Sequence, residues 1–181
     1  MKPTATLIEE HEVILQMLEV AEREAQAQGL LDAQKVAGLL EFFANFADRL
    51  HHAKEEKLLF PRLEERGMPH GGGPIAVMLM EHDEGRACLK RAREALPQAG
   101  QGHAPAVATV RRALLDFVEL LRGHIHKENM VLFRMADQLL TGADQSELEA
   151  AFAQVNAVEM AAVRQQQLEF ARRMAGKNKT K

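Results

Sequence analysis

The sequence predicts an all-α protein: an up-down-up-down antiparallel four-helix bundle with an additional C-terminal helix. Three observations predict it. Leu, Ala, Met, Glu, Gln and Arg dominate the chain, and all are good helix formers. Apolar residues recur with a 3.6-residue period through five long stretches. Glycines and prolines fall mostly between those stretches, and the connections they mark are short, which favours antiparallel neighbours. With 46% hydrophobic residues in 181 a substantial core can form, although aromatics are only 4% and all of them are Phe.

The first helix is predicted over Thr6 to Gln28, stopped by Gly29. The second starts at Asp32, a plausible cap, and runs to Arg66, where Gly67-Met68-Pro69-His70-Gly71-Gly72-Gly73 breaks it. Pro61 lies inside that pattern and should kink or end the regular helix near Phe60. The third opens on Pro74, a first-turn position, and reaches Leu96 before Pro97, Gly100 and Gly102 form a loop. The fourth covers Pro105 to Leu140. The fifth, Ser146 to Met174, has a weaker apolar set (Leu148, Phe152, Val155, Val158, Ala162), so it should pack outside the bundle or serve a partner contact or self-association. Residues 1–140 thus form the bundle, and 141–181 a helix followed by the basic tail Lys177 to Lys181.

Composition excludes several function classes. The formal charge of -3 has both signs interspersed, without the basic face of a nucleic-acid binder. No run of 18 apolar residues exists to span a membrane. The N-terminus lacks the pattern of a signal peptide, and the single Cys88 rules out an internal disulfide, so the cytoplasm is expected.

Each of the four bundle helices has an apolar stripe interrupted by ionisable residues. The stripes read Leu7, His11, Ile14, Leu18, Ala21; then Leu40, Phe43, Ala47, His51, Glu55, Leu58; then Ile75, Met78, His82, Leu89; then Val110, Leu114, Phe117, Leu121, His124, Glu128, Val131, Met135. A polar group on a core face costs free energy unless it is paired or bound to a metal. His51 and Glu55, and His124 and Glu128, share one spacing, i and i+4, which sets an imidazole and a carboxylate one turn apart on one face. One such pair is ordinary; two on inward faces are not. At 1.5 Å rise per residue the antiparallel helices bring His11, His51, His82 and His124 to similar heights near one end of the bundle, with the poorest match between His51 and His82.

Imidazoles and carboxylates at one level suit a transition metal rather than Mg or Ca, which favour oxygen. His11, His51, Glu55, His82, His124 and Glu128 are too many for one tetrahedral ion and suit two metals sharing carboxylates. Iron is the first choice, with manganese or zinc behind it. Glu55 and Glu128 would bridge the two Fe ions together with an oxo or hydroxo group, the histidines would be terminal, and a position would stay open.

Glu10-His11, His51-His52-Ala53-Lys54-Glu55-Glu56-Lys57-Leu58-Leu59-Phe60-Pro61, Glu81-His82-Asp83 and His124-Ile125-His126-Lys127-Glu128-Asn129-Met130-Val131-Leu132-Phe133 resemble the hemerythrin-like, or HHE cation-binding, family, bacterial type, over residues 1–140. The resemblance implies a four-helix bundle with a non-haem di-iron centre. It also implies ligation by His11, by His51 with bridging Glu55, by His82, and by His124 with Glu128. Oxygen-carrying members have a further histidine one turn before His82, where this chain has Met78; simple oxygen carriage is therefore not expected. His52 is a candidate for that missing ligand, with an outer or surface role as the competing reading, and Glu56 shares the ambiguity. Glu81 and Asp83 are candidates to hold a histidine ring from outside, and His126, His70 and His103 are expected to face away.

The functional expectation is binding of, or reaction with, dioxygen, nitric oxide or peroxide in an apolar pocket that includes Phe43, Ala47, Phe117, Leu121 and Met78. Without Tyr or Trp no tyrosyl radical can form. The alternatives are an iron- or oxygen-responsive regulatory module without turnover and ferritin-like iron handling. The latter is disfavoured because ferritin-like sites carry Glu-x-x-His where this chain has His-x-x-x-Glu.

Overall fold

A computed structural model describes residues 2–176; the basic tail predicted at Lys177 to Lys181 lies outside them. Six helical runs follow one another: α1 (Pro3–Gln26), α2 (33–65), α3 (Pro74–Ala99), α4 (104–139), α5 (142–159) and α6 (Ala161–Gly176). The first four build the four-helix bundle, with α3 and α4 packed along their lengths and α1 against α4. Asp32 caps α2 by accepting from Lys35 N at 2.9 Å, and Pro74 opens α3, both as the sequence implies. α3 carries Pro97 in its last turn rather than ending before it, and Gly100 N closes that turn on Leu96 O at 2.9 Å.

The main departure from a regular bundle is local. Three π-helical stretches, Phe43–His52, Glu55–Leu59 and Glu128–Leu132, lie inside α2 and α4. A π turn holds one residue more than an α turn, so it rotates everything that follows about the helix axis. Beyond Glu128 the inward residues are therefore Leu132, Phe133 and Ala136, while Val131 is exposed. Beyond Glu55 they are Leu59, Phe60 and Leu63, with Leu58 only half-buried. The stripes drawn through Leu58, Val131 and Met135 slip by one position for this reason. The same stretch carries α2 past Pro61. Phe60 N donates to Glu55 O five residues back, so the regular helix is interrupted just before the proline while the helical run continues to Glu65.

The core has two apolar clusters. The larger holds Ile14, Leu18, Phe43, Leu50, Leu89, Phe117, Leu121 and Ile125 among others. The smaller holds Leu7, Leu59, Phe60, Ile75, Met78, Leu132, Phe133, Leu148 and Phe152. On every bundle helix the ionisable ladder falls between the two: His11 between Leu7 and Ile14, His51 to Glu55 between Leu50 and Leu59, His82 between Met78 and Cys88, Glu128 between Ile125 and Leu132. The ladder thus has apolar clusters on both sides, and the smaller one closes the end of the bundle nearest to it. The extra turns of α2 beyond it form part of the second cluster.

The single C-terminal helix expected over Ser146 to Met174 is two helices, broken at Met160. α5 is started by a capping box of Thr141 and Asp144. Asp144 also accepts from Arg62 and Arg66, which fastens α5 to the end of α2, and the hydrogen bonds from Arg66 and Thr141 hold its carboxyl well below the usual carboxylate range. α6 lies on α1 and α2, with the Phe170 ring filling the notch left by Gly38. Its core contacts come from Ala171 and Met174; Val158 and Ala162, expected to face inward, are exposed. No helix among the described residues is long and apolar enough to cross a membrane.

Candidate metal centre

His11, His51, Glu55, His82, His124 and Glu128 converge in the bundle interior, all essentially without solvent exposure, and His52 joins them. They form two groups whose donor atoms lie within 4.8 Å of one another: His52, Glu55, His82 and His124 in one, His11, His51, Glu55 and Glu128 in the other. Glu55 belongs to both. Its Oε1 is 3.5 Å from His51 Nε2 and its Oε2 3.6 Å from His82 Nε2. Glu128 Oε2 lies 3.2 Å from both His11 Nε2 and His124 Nε2.

His52 is the residue that a regular helix would have turned to the edge. In an α-helix it lies about 100° around from His51. Here both end the π stretch Phe43–His52, and both are buried. The His52 ring stacks on His82 at a centroid distance of 3.8 Å. The unequal lengths of chain on either side of the connection are taken up beyond the site, where α2 runs on to Glu65 and residues 66–73 lead back to α3.

Four of the five rings are held through Nδ1 by a hydrogen bond to an oxygen, which aims Nε2 of His11, His51, His82 and His124 inward. His51 donates to Glu10 Oε2 at 2.9 Å, His11 to Asn129 Oδ1 at 2.8 Å, His82 to Glu56 Oε1 at 2.7 Å, and His124 to Glu81 Oε2 at 3.0 Å. His52 Nδ1 lies 3.6 Å from Asp48 Oδ1. Such outer partners fix tautomer and ring orientation at metal-binding histidines. Cations stand behind the acids in turn: Lys54 donates to Glu10, Arg86 to both Asp48 and Glu56, and Lys127 to Glu81. Glu56 and Glu81 are therefore ring holders rather than surface groups, whereas Asp83 is exposed and pairs only with Arg86. His126, His70 and His103 face solvent, as expected.

Electrostatics separate the two inner acids from one another. Burial, and then the neighbouring Glu128 carboxylate, push Glu55 well above the usual carboxylate range. Burial acts on Glu128 in the same direction, but the His124 and His11 imidazoles hold it well down. Burial would raise Asp48 too, yet the nearby His52 ring and the Arg86 guanidinium that donates to it bring it to about 2. Glu56 is brought to about 2 by His82, against a smaller effect of burial, with Arg86 adding to the pull. Burial lowers both His51 and His52, the neutral form a metal requires.

His82 Nε2 and His124 Nε2 meet at 3.2 Å, and most of the other inner donors of these groups have no hydrogen-bond partner. Both oxygens of Glu55, both of Glu128, and Nε2 of His11 and His51 are buried without a hydrogen-bond partner. Buried polar atoms are satisfied in all but a few cases. Unsatisfied atoms concentrated at one point, all of them metal-binding types, fit a pair of divalent or trivalent cations.

Sequence reasoning assigned no role to Asp48, Lys54, Arg86 and Asn129. Their available signal was position: Lys54 sits between His51 and Glu55, and Asn129 directly follows Glu128.

A model of the Hemerythrin HHE cation binding domain matches residues 2–136. The iron-sulfur cluster repair protein DnrN of Neisseria gonorrhoeae is 35% identical over 126 residues, covering 65% of this chain and 76% of that protein. The iron-sulfur cluster repair protein YtfE of Cronobacter sakazakii is 30% identical, covering 69% of this chain and 56% of its own length. That of Dickeya chrysanthemi is 35% identical over 48% of this chain and 40% of its own. The chain thus spans about half the length of these YtfE relatives. No solved structure matches the chain significantly.

Proposed function

Because the chain belongs to the hemerythrin HHE cation-binding domain family, we propose that it holds two iron ions between its helices and uses them on dioxygen, nitric oxide or peroxide in the service of iron-sulfur cluster repair. The observation that carries the reading is the pair of His/Glu groups sharing Glu55, with their inner atoms buried and unpartnered. An iron pair bound there supplies electrons and an open position for a small ligand. Manganese or zinc fits the same donors less well on the chemistry of the reaction, since zinc carries no electrons.

The chain's own residues do the rest. His52, His82 and His124 offer three imidazoles to one ion; His11 and His51 offer two imidazoles and Glu128 a carboxylate to the other, and the shared Glu55 completes each group. Glu55 is common to both groups and would be shared by the two ions, while Glu128 lies between His11 and His124. Phe133 stacks on His11 at 5.5 Å, and Phe60 lies 6.2 Å from the His82 ring. With the apolar clusters on either side these rings keep bulk water from the inner atoms. The Met78 position, empty of a ligand, is compensated by His52. Residues 141–181 are an appendage to the bundle of residues 1–140, and their described part covers the outer face of α2. Contact with a partner protein, or between two copies, would use this appendage.

The test is repair itself. An iron-sulfur enzyme whose cluster has been damaged by nitric oxide is incubated with the iron-loaded chain, and its activity is followed. Recovery with the wild type and none with Glu55→Gln is the expected result. An iron-loaded wild type that restores nothing would overturn the repair role and leave a regulatory module that binds small ligands.

A further inference from the structure

Lys54 is the one lysine of the described chain that is fully buried, and it lies on the outer side of α2, away from the inner donors. It is buried because α5 covers it. Its ammonium donates to Glu10 Oε1 and to Asn156 Oδ1, the latter at 3.0 Å, and sits 5.6 Å from the centroid of the Phe152 ring. Glu10 divides its two oxygens: Oε1 takes the ammonium and Oε2 takes His51 Nδ1. A chain of direct contacts therefore runs from α5 through Lys54 and Glu10 to His51. The other supporting cations are built differently. Arg86 and Lys127 are each more than a third exposed, and the carboxylates they hold belong to α2 and α3. The His51 ring is thus supported from the C-terminal segment.

A buried ammonium is retained at a cost unless its partners fix it well. Here the partners come from two other helices, α1 and α5, and they lock one carboxylate in one rotamer. We propose that Lys54 is a positioning residue for the His51 half of the metal site, clamped by Asn156 and Phe152, so that the C-terminal segment sets how firmly one of the two ions is held. Loss of the clamp frees Glu10 to turn, which frees the His51 ring, while His52, His82 and His124 keep their own supports. The proposal rests on the two-iron reading above.

The experiment uses the full chain loaded with ferrous iron and measures release to a ferrous chelator in stopped flow, together with the Mössbauer spectrum of the loaded protein. The wild type is expected to release two ions in two phases. Lys54→Met should accelerate one phase by roughly 10–100-fold, the usual loss when a support behind a ligand is removed, and leave the other phase unchanged. One of the two Mössbauer doublets should shift. Lys54→Arg should restore most of the slow release. Asn156→Ala, a milder change on α5, should accelerate the same phase in the same direction, and it carries the test if Lys54→Met does not fold. Unaltered release in Lys54→Met, or in a folded Asn156→Ala, would overturn the positioning role, as would equal acceleration of both phases with no rescue by arginine. A wild type that takes up no iron would instead overturn the metal reading on which the proposal stands.

Discussion

Replacing Glu55 by methionine separates what the site costs the fold from what it gives to metal binding. In the metal-free chain Glu55 is wholly buried, and neither of its oxygens has a hydrogen-bond partner. Its approaches to His51 and His82, at 3.5 and 3.6 Å, are not hydrogen bonds. Removing an unsatisfied buried polar group relieves about 1–3 kcal/mol, and methionine is flexible and close to glutamate in volume, so little cavity or strain is added. For a chain of this size about 1 kcal/mol moves the melting temperature by roughly 2–4 °C, so the metal-free variant should melt some degrees above the metal-free wild type. The sign with pH follows from the raised value of Glu55. Below its ordinary 4.5 the group is protonated in both folded and unfolded chains and costs no ionisation. As pH rises above that value the unfolded chain ionises first, and the penalty on the fold grows. The advantage of Glu55→Met should therefore be larger at pH 8 than at pH 4.5. With iron the order should reverse, because Glu55 belongs to both metal-binding groups: the wild type should gain stability on loading and the variant should not. Calorimetry of both proteins, with chelator and with iron, reads all four states. A metal-free variant that melts below the wild type, or that still gains stability with iron, would refute the reasoning.

Other perturbations test separate parts of the account. His52→Ala should lower iron stoichiometry or affinity at the group it shares with His82 and His124, whereas His126→Ala, at an exposed ring, should leave metal content unchanged in elemental analysis. Arg86→Met should make acid unfolding, followed by circular dichroism, begin at higher pH. Asp48 and Glu56, at about 2, stabilise the fold above their unfolded values and lose that contribution as pH falls toward 2, and without the arginine this reserve shrinks. An unmoved acid midpoint would contradict the role given to Arg86. Gly38→Ala sets a methyl 2.7 Å from the Phe170 ring, while the better helix propensity offsets the displacement by about 1 kcal/mol. Global melting should change little, but amide exchange in α6 should accelerate.

The legible part of the sequence was whatever obeys a regular period. The four bundle helices, the cap at Asp32 and the inward direction of His11, His51, His82 and His124 follow from 3.6-residue spacing, and helix bounds fell within about three residues. What escaped was what breaks the period. No composition or spacing announces a π turn, yet the stretches at Phe43–His52, Glu55–Leu59 and Glu128–Leu132 decide that His52 faces in and that Leu132 replaces Val131. The outer supports escaped for a different reason. Asp48, Lys54 and Arg86 look like surface charges along the chain, and only α5 packing over α2 makes Lys54 a buried one. The C-terminal segment had the weakest apolar pattern. It proved to be two helices, because its anchors are few and local: Asp144 with its two arginines, Phe152, and Phe170 over Gly38.

Iron analysis of the chain purified without added metal, read with its visible spectrum, bears most directly on the centre. Two irons per chain with the absorption of a coupled ferric pair are expected after oxidation. One zinc per chain, or no metal and no visible band, would contradict it.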